Sequence, residues 1–172
     1  MKKMFAASWG TGLKWSSVLV TLVLAGVSAS GFLWPGFRQP GFGFWLHALP
    51  PVLILAGALP FVVRGFTIQN GVLLVHRLLW DTTIPLAGLQ SAEVVPHAMS
   101  GSLRTLGNGG AFSFTGRYWS KSLGHYRAFV NDWKRPVVLR WPERTIVLSC
   151  DDPEAFVAAL RQMESPAAHD EG

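Results

Sequence analysis

The side chains of this 172-residue chain best suited to chemistry are cations. Residues 104–144 hold eight Lys and Arg against Asp132 and Glu143, a net of +6. Trp119, Tyr126 and Trp133 are interleaved with them. From residue 145 onward the balance reverses, with Arg161 alone against six acids, a net of −5. Such a split gives a domain one basic and one acidic flank. A basic flank beside a bilayer attracts anionic headgroups, at about 1 kcal/mol per cation near the surface. The same flank suits an acidic protein surface. The plainer alternative is solvated strand charge, balanced by an acidic helix. Arg104, Arg117, Lys121 and Arg127 are the candidate contact residues for a partner or a headgroup.

Other chemistries find less support. Gly107-Asn108-Gly109-Gly110 has the composition of a phosphate cradle, but such a loop needs a helix N-terminus behind it. Ala111-Phe112-Ser113-Phe114 follows with the alternation of a strand, so a structural turn is the better reading. The sequence holds no Walker motif, nucleophile elbow or metal-spaced histidine cluster. His76, His97, His125 and His169 are scattered singly. The single cysteine, Cys150, cannot form an intrachain disulfide, and neighbouring Asp151 and Asp152 disfavour its thiolate. One cysteine fits a reducing compartment. These residues point away from an enzyme and imply no cofactor and no metal. A site assembled in space from scattered polar residues is the alternative.

Two apolar runs must hold these groups in place. The first 64 residues carry Lys2, Lys3, Lys14, Arg38 and Arg64 and no acid, whereas residues 65–172 carry ten basic and ten acidic side chains. The pI near 9.9 therefore comes from the apolar part of the chain, and nucleic acid is excluded as a partner on this count. Residues 16–34 are nineteen positions without a charge, roughly 28 Å as a helix and close to the hydrocarbon thickness of a bilayer. Trp15 and Trp34 bracket them as interfacial anchors. Ala25, Gly26, Ala29 and Ser30 offer a small-residue face for helix packing. Residues 44–63 form the second run, where Pro50, Pro51 and Pro60 predict a kinked helix. His47, one turn inside it, reads as an interfacial residue. Residues 35–43, rich in Pro and Gly, join the runs in a turn.

Residues 16–63 thus read as a two-helix transmembrane hairpin behind a cytoplasmic leader, residues 1–15, with the lipid bilayer itself a partner. Basic residues at both ends, against Arg38 alone in the turn, place both ends in the cytoplasm. A rival reading takes the basic start and residues 27–31 as a cleavable signal peptide. The second run would then still cross once and leave the remainder cytoplasmic.

From residue 65 the pattern becomes short and alternating. Asn70-Gly71 is a strong hairpin signal. Strands are expected at 66–69, 72–78, 82–85, 90–95, 111–116, 126–130, 137–141 and 145–149, with 99–110 as a connection containing glycine and serine. Asp152 as N-cap and Pro153 as first helical residue open a helix whose Phe156, Ala159, Leu160 and Met163 share a face. Residues 165–172 read as a disordered tail.

Thr83-Ile84-Pro85-Leu86 leads into Leu89-Gln90-Ser91-Ala92-Glu93-Val94-Val95. Arg104-Thr105-Leu106-Gly107-Asn108-Gly109-Gly110 runs on to Gly116-Arg117-Tyr118. Leu123-Gly124-His125-Tyr126-Arg127-Ala128 and Asp151-Asp152-Pro153-Glu154-Ala155-Phe156 follow in order. On these residues, 65–163 is similar to the bacterial PH domain families, several of which resemble short membrane hairpins with a pleckstrin-homology-like domain attached. The resemblance implies a membrane α-helical hairpin followed, over 65–164, by a mainly-β domain: a β-sandwich or barrel of about seven strands capped by a C-terminal α-helix. It brings no catalytic set. Eukaryotic PH domains that hold phosphoinositides use basic residues around their first hairpin loop; Asn70-Gly71 has none, so the resemblance does not extend to that ligand.

The sequence thus reads as a membrane-anchored, non-enzymatic interaction module. It belongs in the bacterial inner (cytoplasmic) membrane, multi-pass, with its C-terminal domain cytoplasmic. It binds a membrane protein partner or self-associates as a homo-oligomer. The alternative is recognition of anionic lipid headgroups through the basic flank.

Overall fold

The computed structural model describes residues 2–33, 41–109 and 112–164. The expected tail at 165–172 and most of the turn at 35–43 therefore lie outside the described residues.

A strand, β1 (Lys3–Ala6), precedes everything else. Helix α1 (Thr11–Leu33) and helix α2 (Phe42–Ala58) follow, and a 3-10 turn (Leu59–Phe61) closes the hairpin. Both helices are long and apolar enough to cross a membrane. The first starts five residues before the uncharged run. Its opening turn belongs to the β-domain: Gly10 N–H donates to Asn131 O, Lys14 N–H donates to Gly10 O, and Leu13 and Ser17 are buried. Pro50 and Pro51 fall inside α2, while Pro60 sits in the 3-10 turn. The helices meet through Ser28 Oγ, which donates to Ala48 O, and through Ser30 Oγ, 2.9 Å from His47 Nε2. His47 thus lies between the two helices. Of the small residues, Ser30 meets α2, whereas a Cβ added at Gly26 would touch nothing within 4 Å.

The remaining strands are β2 (Val63–Gln69), β3 (Val72–Arg77), β4 (Asp81–Pro85), β5 (Ser91–Val94), β6 (Leu103–Gly109), β7 (Phe114–Ser120), β8 (Gly124–Val130), β9 (Val137–Arg140) and β10 (Thr145–Leu148). They form two sheets, ordered β1-β2-β3-β4 and β5-β9-β10-β8-β7-β6, with β10 and β8 parallel and the other pairs antiparallel. Asn70 and Gly71 close the β2–β3 hairpin with φ of 48° and 73°, the positive pair that a tight primed turn needs.

Two strands lie in segments read otherwise from the sequence. The leader contributes β1, whose Phe5 pairs with Phe66. The expected connection at 99–110 contributes β6. A register shift between Arg104 and Leu106 and the glycines at 107 and 109 hide its alternation. Strand β7 also begins later than expected and runs on to Ser120.

Helix α3 (Pro153–Glu164) is capped as its sequence dictates, Ala155 N–H donating to Asp152 Oδ1 at 2.9 Å. It buries Phe156, Val157, Ala159 and Leu160. Phe156 meets Phe5 of β1 at 5.1 Å and Phe66 of β2 at 6.2 Å, both edge-on. These rings belong to the core between the sheets, with Leu73, Val75, Phe129, Leu139 and Leu148. A second core, with Met99, Tyr118, Tyr126 and Val147, lies on the other face of the six-stranded sheet.

Candidate functional site

Strand alternation decides which cations meet. On β7 and β8, Thr115 pairs with Phe129 and Arg117 pairs with Arg127. In a strand, side chains two apart share a face, so Thr115, Arg117, Arg127 and Phe129 all lie on one side of the sheet. Arg127 stacks on the Phe129 ring, its guanidinium carbon 4.9 Å from the centroid. Like charges placed directly opposite one another repel. The two ion pairs among the described residues are His76–Asp81 and Arg135–Glu154, so neither relieves this pair.

A third cation completes the group. Leu73, Val75 and Arg77 occupy the inward phase of β3, and Arg77 is only 7% exposed. Its guanidinium carbon lies 5.2 Å from the Phe129 centroid, 5.5 Å from Trp80 and 5.7 Å from Phe61. Its Nε has no hydrogen-bond partner. Burial lowers the Arg77 pKa, and Arg127 lowers it further. Burial also lowers that of Arg127, with Arg117 adding to it. An arginine stays protonated regardless; the shifts record burial first and the neighbouring arginine second.

The four sequence candidates therefore separate. Arg117 and Arg127 come together. Arg104 pairs with Tyr118, whose ring packs in the second core, and the Arg104 charge acts on that phenol. Lys121 is exposed in the β7–β8 turn. Arg77 was missed as a site residue. Its signal was a cation at the third inward position of a strand whose other two are Leu73 and Val75.

Exposed apolar side chains border the arginines. Leu78, Leu79 and Trp80 form the β3–β4 turn directly after Arg77, and Leu106 pairs with Arg117. The helix end is close as well: the Phe61 carbonyl accepts from Ser113 Oγ at 2.9 Å and from Thr115 Oγ1 at 3.4 Å.

Elsewhere, Thr67 Oγ1 lies 2.8 Å from His76 Nε2, and His76 Nδ1 lies 3.0 Å from Asp81 Oδ1. The atom order is that of a hydroxyl–imidazole–carboxylate triad. Thr67 is 0% exposed, so its hydroxyl is closed to a substrate carbonyl. Burial, followed by Asp151 and Asp152, pushes the Cys150 thiol up to about 12, far from a reactive thiolate. No His, Cys, Asp and Glu group among the described residues has the grouping of a metal site. Gly107 and Gly109 lie in β6 and strand β7 follows them, so no helix N-terminus stands behind the glycine segment.

A bacterial PH domain family model matches residues 64–164. The chain belongs to the bacterial PH domain family. The matched span runs from the start of β2 to the end of α3, so β1 and both apolar helices lie outside it. The curated proteins and the solved structures give no match. PH domains are interaction modules and generally non-catalytic. In this PH domain the first hairpin of the matched span turns at Asn70-Gly71, without a cation in the turn. The arginine group sits elsewhere, on β3, β7 and β8.

Proposed function

We propose that the chain is a membrane-anchored, non-enzymatic interaction module. Its PH domain is held flush against the bilayer on the cytoplasmic side, and it serves a membrane protein partner or a second copy of itself. One observation carries this reading: the apolar hairpin is spliced between two paired strands of the domain. Four residues separate β1 from α1 and a single residue separates the 3-10 turn from β2, with Lys3 opposite Ile68 and Ala6 opposite Gly65. Asn131 Nδ2 donates to both Ala7 O and Val63 O, each at 2.8 Å, and ties the chain leading into the hairpin to the chain leaving it. A helical hairpin whose ends are so joined enters and leaves on one side.

The helices support a membrane location because their apolar surface is bare. Leu22 and Leu53 are 66% and 65% exposed, and Leu19, Leu46 and Ile54 are exposed too. Water does not tolerate so large a contiguous apolar patch on a monomer. Cleavage within residues 27–31 would strip away β1 and the buried Leu13 and Ser17, so the first helix is read as retained. A short tether raises the effective concentration of the domain for any partner in the same membrane.

The test uses the single cysteine. In a Cys150→Ser background, Lys2→Cys, Arg38→Cys and Lys121→Cys are exposed in turn to a membrane-impermeant maleimide on intact spheroplasts. Residue 38 should label at once, and residues 2 and 121 only after permeabilisation. Opposite behaviour of residues 2 and 121 would overturn the anchoring. Isolation from membranes in mild detergent should return a stoichiometric companion or a homo-oligomer. A strictly monomeric, companionless chain would overturn the interaction role.

A further inference from the structure

Three observations single out the arginine group. Arg77 is more than nine-tenths buried and its Nε has no partner. Arg117 and Arg127 are exposed and stand directly opposite one another, so an anion between them would relieve their repulsion. No ion pair among the described residues reaches any of the three. Guanidinium forks suit tetrahedral oxyanions, because their planar donors match two oxygens at once.

Position decides the source of the anion. Thr115, which touches the last residue of the 3-10 turn after α2, is two positions from Arg117 on β7. At about 3.3 Å per residue the pair lies roughly 7 Å along the sheet from the helix end, about the depth of one headgroup layer. Arg77 pairs with Val63, two residues beyond that turn, and lies against Phe61 itself. The next three residues, Leu78, Leu79 and Trp80, are exposed, and Trp80 meets Phe61 edge-on at 5.4 Å. Tryptophan and leucine beside a helix exit belong at the bilayer interface.

We propose that Arg77, Arg117 and Arg127 form a binding site for the phosphate of an anionic phospholipid in the leaflet that α2 leaves. The proposal deepens the anchored-module reading and rests on it. The cysteine labelling above reads anchoring separately, so loss of the lipid site would leave that reading standing.

The experiment uses the full chain in a neutral detergent, with phosphatidylglycerol, phosphatidylcholine and sodium phosphate as probes. Lipid retained per chain is read by native mass spectrometry, and thermal midpoint gives a second readout. Arg117→Gln/Arg127→Gln is the test variant; Arg104→Gln/Lys121→Gln removes the same charge elsewhere. Wild type should retain phosphatidylglycerol over phosphatidylcholine, and the test variant should bind it about thirtyfold more weakly, two cations at the interfacial value. The control should stay within about twofold of wild type. Arg77→Lys should fall between, because it keeps charge but loses the fork. Equal retention of both lipids by wild type, undiminished retention in the test variant, or equal loss in the control would each overturn the site. A midpoint shift with sodium phosphate but none with phosphatidylglycerol would overturn the lipid as source. A protein companion lost in the test variant, with lipid retention unchanged, would assign the arginines to that companion instead.

Discussion

Cys150 and Tyr118 carry a pH dependence that the fold imposes. The thiol moves from 9.0 to about 12, first through burial and then through Asp151 and Asp152. The phenol moves from 10.0 to about 12, also through burial, with Arg104 opposing it. Both groups shed their protons earlier in the unfolded chain than in the folded one. Unfolded chains therefore bind fewer protons between about pH 9 and about pH 12, and stability falls as pH rises through that window. The thermal midpoint of the full chain should drop between about pH 9 and about pH 12, and Cys150→Ala should make the drop shallower. The native thiol should also resist a maleimide at neutral pH until denaturant is added; fast labelling of the native chain would refute the burial argument. Two acids beside Cys150 were enough to read the direction of its shift from sequence. The larger cause, burial at the end of β10 under α3, depends on contacts between distant segments. Arg77 follows the same pattern, since its charge is plain in the sequence but its inward phase is fixed only once β3 pairs with β2.

The β6–β7 ladder depends on two glycines facing each other. Gly107 and Gly116 are paired at φ of 115° and 150°, and a Cβ on either would collide with the backbone of the opposite strand. Gly116→Ala should destabilise the chain by on the order of 3 kcal/mol, from backbone strain alone. Gly26→Ala, with open space around it, should stay within about 0.5 kcal/mol. Equal thermal midpoints for the two variants would show that the close approach carries no cost. The same glycines explain what the sequence concealed. Strands with an uninterrupted apolar phase, such as Leu73-Leu74-Val75 and Val137-Val138-Leu139, were legible, as were the Asn70-Gly71 turn and the Asp152 cap. Strand β6 reads Leu-Arg-Thr-Leu-Gly-Asn-Gly, with a bulge after Arg104, and carries no period. Strand β1 is four residues inside a basic leader, and only its partner 60 residues later gives it a role. Of the arginine site, the register of β7 and β8 could not be read without locating β7 correctly, so Arg104 and Lys121 stood level with Arg117 and Arg127.

The family match begins at residue 64, yet the sheet does not. Residues 63–164 alone would lose β1, bare the Phe156 edge that Phe5 covers, and leave Asn131 without Ala7 O. Losing Phe5 burial and one edge strand should cost about 2 kcal/mol, or about 10 °C in thermal midpoint for a domain this size. Replacing residues 9–61 by a short Gly-Ser linker, with residues 2–8 retained, should recover that difference in a chain without apolar helices. Equal midpoints for the two versions would mean that β1 adds nothing. The splice also sets an order of events. Strand β1 is synthesised first, but Lys3 must wait for Ile68, and both helices are made in between. At about 5–20 residues per second that delay is roughly 3–13 s. In a chain whose helices cross a bilayer, insertion of one helix without the other strands β1 and β2 in different compartments, where no register between them exists. Where the helices cross a bilayer, closure of the first sheet is therefore expected only in molecules that have inserted both helices or neither.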